Sequence, residues 1–485
     1  LTLHTPPPRG YAGAVLSGKD LIKLGFKPGP AMGVALKLIP QVQKDLAKRV
    51  IESDLRAIVQ EPNAYKEHTH WAMLAEALID QTAKQAAYVE RESPAPYQIW
   101  GEGLEDGAID QMKNAARLPI AVAGALMPDA HQGYGLPIGG VLATENAVIP
   151  YAVGVDIACR MRLSVYDIPA DQMKGLNAKL VNALRRETLF GTGAGFRKPM
   201  EHEVLAEDWS VTPVTQRVFE KARAQLGTSG SGNHFAEFGI ITVEQEPSGS
   251  AAGFQLPPGQ YLGLLTHSGS RGAGATIADF YSKLAMEKHP ELPTELRRLA
   301  WLDLDRQDGQ DYWAAMNLMG KYAAANHALI HQRIANNLGA KVIAGVENHH
   351  NFAWKETHGG KEVIVHRKGA TPAGQGVMGV IPGSMATAGF VVRGRGVEAS
   401  LHSASHGAGR RMSRTVAKQQ YRWNHIKPLL EQAGVQLLSA GIDENPHAYK
   451  DIHAVMAQQR DLVDVVARFD PKIVRMAEGS ERPED

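Results

Sequence analysis

Apolar and polar positions along the 485-residue chain follow two patterns in succession. From Ser17, apolar residues recur at three-to-four spacing through GPAMGVALKLIPQVQKDLAKRVIESDLRAIVQ and HWAMLAEALIDQTAKQAAYVE, the period of amphipathic helices. Residues 17–92 are therefore expected to be a helical N-terminal region, with Ser17 as an N-cap, behind an extended Pro- and Gly-rich arm over 1–16. After the Pro-rich link SPAPYQIWG (93–101) the runs become short, apolar and broken by Gly and Pro: PIAVAGALMP, GGVLATENAVIPYAVGVDI, RMRLSVYDI. That pattern predicts buried strands and the start of a main domain over 100–479. Helices are expected over 171–190, 213–226 and the Ala-rich 277–338, the last with a break near Pro290 and Pro293. QYLGLLTHSGSRG (260–272) predicts a buried strand entering a Gly-rich loop, and KVIAGVENHHNFAWKE, KEVIVHRKGAT and FVVRGRG predict further strands. The chain from Tyr449 is expected to be helical at first and to end in a charged, mobile segment over 480–485. Together these elements predict a mixed α/β (α+β) fold, without a repeat of fixed period.

Composition changes this picture little, and charge somewhat more. A single cysteine excludes an intrachain disulfide, and no apolar run reaches spanning length. With no signal pattern at the start, the expectation is a cytoplasmic protein with no membrane association. The net charge of +1 hides a basic strip between Val391 and Arg422, where Arg393, Arg395, Arg410, Arg411, Arg414, Lys418 and Arg422 face Glu398 as the one acid. Such a strip suits a polyanion such as RNA or a nucleotide phosphate, and equally a solvated face.

Candidate chemistry begins at GVDIACRMR (154–162), which carries that one cysteine, Cys159, with Asp156 three positions before it. A thiolate and a carboxylate at this spacing look like two ligands of a metal site, whereas a lone buried Cys can also be a small core residue. Further ligands are to be sought among 19 histidines, several of them in Gly-rich or polar loops: NHF (233–235), THSGSRG (266–272), NHHN (348–351) and SHGAGR (405–410). There is no G-x-x-x-x-G-K-[ST], and the nearest approach to a K-x-D-G ligase motif begins with Arg306, which cannot act as a nucleophile. A histidine nucleophile fits SASHGAGRRMSR (403–414) better. Gly407 and Gly409 let backbone N–H groups approach a phosphate beside His406, and Arg410 adds a fork of donors.

MPDAHQGYGLPIGGVLAT (127–144), GVDIAC (154–159), QLGTSGSGNHFAEF (225–238), THSGSRG, HN (350–351), HRKGAT (366–371), PGSMAT (382–387), SHGAGRRMSR and AYKDI (448–452) occur in one order. In that order the chain resembles the RtcB-type RNA ligases over roughly residues 100–455. The resemblance implies an RtcB-like fold, neither Rossmann nor P-loop. It implies joining of an RNA 3′-phosphate or 2′,3′-cyclic phosphate end to a 5′-hydroxyl end, with GTP and two Mn²⁺ as cofactors and RNA as partner. Position by position it implies one metal on Asp156, Cys159 and His234 and a second on Cys159, His267 and His350, with the thiolate bridging. The donor set alone would suggest zinc, so manganese rests on the resemblance. His406 is implied as the residue that takes GMP, with Asp129 supporting that step. Nucleotide contacts are implied from Asn233, His234, Phe235, Ala236 and Glu237, from His350 and Asn351, and from Pro382, Gly383, Ser384 and Met385. The series continues with His406, Gly407, Ala408, Gly409 and Arg410, and Tyr449 flanks the base. Three departures stand out. Arg160 follows the bridging Cys where the family has Gly, Ala386 and Gly389 alter the P-G-S-M block at the cost of a serine, and Glu478-Gly479 replaces a terminal Lys-Gly. Two other activities stay open: a paralogue that caps 3′-phosphate ends, and a two-metal phosphoesterase. A non-enzymatic RNA-binding scaffold is the third alternative.

Overall fold

Strand ends, more than strand faces, organise this molecule. The structure, a computed structural model, describes residues 16–27, 29–86, 88–244 and 254–479. Most of the expected N-terminal arm (1–15) and the whole expected tail (480–485) lie outside the described residues. The chain divides into two units: residues up to Val89 together with His289–Arg297, and the remainder.

The smaller unit holds the α-helices Gly18–Lys23, Pro30–Val42, Lys48–Gln60 and Ala72–Ala86. Ser17 begins the first of them, its N–H and hydroxyl donating to the Asp20 carboxylate at 2.9 and 2.6 Å. Leu21, Ala31, Ala35, Ile39, Ile51, Leu55, Ile58 and Trp71 are fully buried and form its core. The buried indole N–H of Trp71 donates to Asp54 at 3.0 Å, so the core pays no unsatisfied donor for that ring.

The larger unit is built on an eight-stranded sheet. Its path runs Met378–Ile381, Gly389–Gly394, Val463–Met476, Phe235–Val243, Gly259–Ser268, Arg160–Pro169, Val342–His349, antiparallel at each step, and Gln436–Ser439 pairs parallel with Val463–Met476. One face packs Met161, Leu163, Val165, Ile241 and Leu265. The other packs Ala236, Phe238, Leu262 and Leu264 against Ile330, Ile334 and Leu338 of the long helix Gln307–Leu338. A second sheet of five strands has the order Tyr97–Ile99, Ala121–Tyr134, Leu136–Thr144, Lys361–Lys368, Asn351–His358. This is the mixed helix-and-sheet architecture that the patterning predicts. Among the described residues, no helix is long and apolar enough to cross a membrane.

Two elements differ from the sequence reading. The Ala-rich stretch is split much further than one proline break: a helix ends at Lys288 and the next begins at Gln307. More consequentially, the chain after the short helix Ile452–Ala457 is not a tail but the 14-residue strand Val463–Met476, central in the large sheet. Pro471 hides it, because a proline inside an apolar run argues against a central strand. The sheet tolerates it at a register shift between Pro471 and Ile473, where the missing N–H is not needed.

Candidate active site and metal centre

Antiparallel pairing brings four strand ends to one edge of the large sheet. Arg160 lies opposite Ser268 and His349, and Phe235 opposite His267. The residues just before two of these strands, Cys159 and His234, therefore meet His267 near the end of a third and His350 just beyond a fourth. His350 is the single residue between Val342–His349 of one sheet and Asn351–His358 of the other, so the chain changes sheets at a ligand position. Its neighbour His349 instead packs on Phe352 and Trp354, with ring centroids 5.0 Å from each.

The donor atoms converge closely. Cys159 Sγ is 3.0 Å from His267 Nε2 and 3.5 Å from His234 Nε2, and His267 Nε2 is 3.2 Å from His350 Nε2. His234 Nε2 stands 3.2 Å from Asp156 Oδ2. Burial, reinforced by the charge of His234, lowers the pKa of His267 to about 3, and burial takes His350 well below the ordinary histidine value. Both rings are thus neutral at pH 7. The Nδ1–H of His267 goes to the Asn233 carbonyl at 3.4 Å, leaving its Nε2 lone pair on the cluster. At the other corner Arg271 donates to His234 Nδ1 at 3.2 Å, and the tautomer with a proton on Nε2 satisfies both Arg271 and Asp156. A cation there would replace that proton. Asp156 is held by Ser270 through Oδ1 (2.9 Å from N, 3.2 Å from Oγ), and its buried Oδ2 faces the His234 ring nitrogen at 3.2 Å. Burial would raise the Asp156 carboxyl, but His234 and Arg271 outweigh it and hold it below the usual range. Gly269 permits this packing, since a Cβ there would lie 2.1 Å from Asp156 Oδ2. Ring nitrogens, a thiol and a carboxylate oxygen converging within a few ångströms of one another fit a pair of divalent cations.

Next to this cluster His406 is held by a buried carboxylate. Asp129 Oδ2 accepts from His406 Nδ1 at 2.6 Å and from the backbone N–H of His406 and Gly407 at 3.0 and 3.2 Å. The proton is therefore on Nδ1 and the Nε2 lone pair is free. The His406 ring centroid lies 5.0 Å from that of His350. Gly409 allows the loop this close approach: its φ is +71°, and a Cβ would meet the Asp129 carbonyl oxygen at 2.1 Å.

Both features open on one cavity of about 860 Å³. Asp156, Cys159, Asn233, Phe235, Glu237, His267, His350 and Asn351 line it, with Pro382, Gly383, Ser384 and Met385 on another wall and His406, Gly407, Ala408, Gly409, Arg410 and Tyr449 on a third. His234 is buried with the ligands and does not line this surface, and Asp129 is fully buried behind His406 and Gly407. Ala236 does not join them. Strand alternation turns it to the opposite face, into the core with Phe238 and Leu264, so only Phe235 and Glu237 of that strand face the cavity.

Several charged residues behave differently from their sequence reading. Arg160 does not present its charge to the ligands; its guanidinium pairs with Glu347 and donates to the Gly320 carbonyl at 3.2 Å. Most of the basic strip is tied up in ion pairs rather than presented as a free cationic face. Arg393 and Arg395 pair with Asp464, and Arg410, Arg414 and Lys418 pair with Glu444 or Asp443. Arg410 keeps its fork largely occupied, donating to the Asp443 and Met412 carbonyls at 2.8 and 3.2 Å, and its guanidinium stacks over Tyr449 at 5.3 Å. Two residues that the motifs contain but do not single out, Arg271 and Lys368, also belong here, beside Glu237, which is already implied as a nucleotide contact. Arg271 braces His234, and Glu237 sits at the cavity floor with its carboxyl raised by burial to about 8. Lys368 of HRKGAT lines the wall, and burial, helped by Arg298, lowers it to about 7. The sequence shows these residues but not the desolvation that makes them unusual.

Residues 111–210 and 199–477 match the profile of a family described as tRNA-splicing ligase RtcB. The chain belongs to this family and is an RNA ligase. It is 33% identical over 404 residues to the RNA-splicing ligase RtcB1 of Escherichia coli, covering 77% of this chain and 95% of that protein. It is 32% identical over 441 residues to the tRNA-splicing ligase RtcB of Thermococcus kodakarensis, covering 76% and 90%.

Removing Cys159, the donor that a bridged pair of ions would share, tests the metal centre. Cys159→Ala should lose both ions together, while His350→Ala should keep the ion on Asp156, Cys159 and His234, as read from the metal content of purified chains. A Cys159→Ala chain with its full complement would return Cys159 to the core.

Proposed function

We propose that this ligase joins an RNA 3′-phosphate or 2′,3′-cyclic phosphate end to a 5′-hydroxyl end, using GTP and two Mn²⁺, through a GMP adduct on His406. The observation that supports it most directly is the 2.6 Å contact of His406 Nδ1 with Asp129, which leaves Nε2 as a nucleophile beside the metal cluster. Nε2 attacks the α-phosphorus of GTP; a P–N bond forms, the P–O bond to pyrophosphate breaks, and pyrophosphate leaves. An oxygen of the RNA 3′-phosphate then takes the GMP, and the electron pair of the broken P–N bond returns to Nε2. The 5′-hydroxyl attacks the activated 3′-phosphorus, loses its proton, and GMP departs. A cyclic end is first opened by water to a 3′-phosphate. Mn²⁺ on Asp156, Cys159, His234, His267 and His350 would neutralise phosphate charge and orient the reacting oxygens. Asn233 and Asn351 line the same cavity, with amide groups of the kind that suits phosphate or ribose oxygens. The proposed site of action is the cytoplasm, on RNA ends such as those of cleaved tRNA.

The deciding assay offers labelled 3′-phosphate and 5′-hydroxyl oligonucleotides with GTP and Mn²⁺. A joined product that requires GTP supports the proposal. A 3′ end that gains GMP and stays unjoined would make the protein an end-capping enzyme, and GTP-independent phosphate release would make it a phosphoesterase.

Base selectivity follows from Glu237 and from what is missing around it. With Gly389 in place of a serine and Glu478-Gly479 where the family has Lys-Gly, preference for GTP over ATP is expected to be relaxed. An ionised Glu237 offers two acceptors to the N1–H and N2–H of guanine, whereas its protonated form offers one donor and one acceptor, the pattern adenine requires. Since burial raises this carboxyl to about 8, the ratio of GTP to ATP labelling should climb as pH rises through that value. Glu237→Gln should flatten the climb. A wild-type ratio that does not change with pH would remove Glu237 from base recognition.

A further inference from the structure

Away from the cavity, Glu356, His358, Glu398 and His402 form a second group of donors, none of which lines the catalytic pocket. Glu356 and His358 lie two apart on the strand Asn351–His358, so they share a face; Glu398 opens the short helical turn Glu398–Ser400, and His402 follows two residues later. His358 Nδ1 is 3.0 Å from Glu398 Oε1, and its Nε2 is 2.9 Å from Glu356 Oε2. His402 Nε2 is 3.1 Å from the other oxygen of Glu398. One ligand atom each from Glu356, His358 and His402 lies within 4.8 Å of the others. The two rings are 4.6 Å apart, as close as the 5.0 and 5.1 Å ring spacings within the catalytic cluster.

The hydrogen bonding says what could occupy this point. When Glu398 accepts the Nδ1–H of His358, the Nε2 lone pair faces a carboxylate oxygen at 2.9 Å, and two acceptors at that distance need a positive species between them. It is either a proton or a cation. A carboxylate that fixes the far nitrogen of a ring is also how metal-bound histidines are commonly oriented. His358 is nearly buried, with 6% of its side chain exposed, so the group is partly stripped of water.

We propose that His358, His402 and Glu356 form a third metal site, for a zinc-like divalent cation, with Glu398 holding the His358 ring. Two imidazoles and one carboxylate with a fourth position open suit Zn²⁺ and do not suit Mg²⁺ or Ca²⁺, which want oxygen. Its place in the fold gives it a task. Arg367 joins Glu356 (2.6 Å) to Ser403 Oγ (2.7 Å) and to the Leu401 carbonyl (2.8 Å), and His402 stands four residues before His406. A cation here pins the root of the nucleophile loop to the five-stranded sheet.

The test counts zinc on the full chain after stripping with chelator and reloading with Zn²⁺ alone. In a Cys159→Ala background, one zinc per chain should remain, and adding His402→Ala or His358→Ala should abolish it. Glu398→Gln in the same background should weaken it by about 10- to 100-fold. Co²⁺ loaded on the Cys159→Ala chain should give a visible spectrum that disappears with His402→Ala, while circular dichroism reports that each chain is folded. Should the Cys159→Ala chain fail to fold, the chain with Cys159 intact must bind one zinc more than its His402→Ala variant. Equal zinc with and without His402, or no zinc on a folded Cys159→Ala chain, would leave a proton between His358 and Glu356 and overturn the proposal.

Discussion

In Mn²⁺ and GTP labelled at the α-phosphate, the unaltered chain should become covalently labelled without RNA, and the His406→Gln chain should not. The loss should be on the order of 10⁴-fold or more, the scale on which removal of an activated nucleophile acts. The direction comes from the geometry around one nitrogen. Asp129 accepts a hydrogen bond from Nδ1–H at 2.6 Å, so Nε2 carries the lone pair, and a glutamine amide has no comparable nucleophile. Neighbouring hydroxyls are poor substitutes. Ser405 is fully buried, and Ser413 caps the helix Arg414–Gln420 by accepting from the Val416 N–H at 3.3 Å. A P–N bond is labile in acid and persists in alkali, which separates it from a phosphoester on either serine. Undiminished, acid-stable label on His406→Gln would overturn the nucleophile and with it the proposed reaction.

Much of this site was legible because its residues lie in short motifs at strand ends, where backbone requirements and ligand chemistry coincide. Asp156 and Cys159 were marked by spacing alone. His234, His267 and His350 were marked by loop context, and their grouping came only with the family resemblance. The residue-level pattern could not pair strands, and it is the pairing of Phe235 with His267 and of Arg160 with Ser268 and His349 that makes the cluster. Where the reading failed, the cause was a partner distant in sequence. The basic strip looks unbalanced because Asp443, Glu444 and Asp464 lie beyond it, and the partner of Arg160, Glu347, is 187 positions away. Val463–Met476 was missed because its central place depends on strands more than 200 residues earlier, such as Phe235–Val243, while its own run contains Pro471. Glu237 was named as a contact, but its raised pKa is a property of burial and has no sequence signature.

Asp129→Asn should lower the rate of His406 labelling by about 10²- to 10⁴-fold, the usual range for a group that assists through a proton or charge, while nucleotide affinity changes far less. Asp129 is fully buried, and one oxygen accepts three N–H groups: His406 Nδ1, His406 N and Gly407 N. Two of those donors are backbone, so an asparagine oxygen can keep its place and the ring its tautomer; what is lost is charge. When Nε2 bonds to phosphorus the imidazole ring becomes positive, and a carboxylate at 2.6 Å from Nδ1 stabilises that charge as it develops. Burial alone would raise the Asp129 carboxyl, but the charge and hydrogen bond of His406, then His131 and Lys450, outweigh it and hold it below the ordinary carboxylate range. A depressed carboxyl is ionised above its folded pKa, so this support should persist in the unaltered chain as pH falls to about 4, the ordinary aspartate value, and fail only below it. A stopped-flow or quench measurement of label against time separates rate from affinity. Labelling of Asp129→Asn at the unaltered rate would mean that holding the two backbone N–H groups is the carboxylate's purpose and that charge on His406 is balanced elsewhere, by the phosphates of the nucleotide itself.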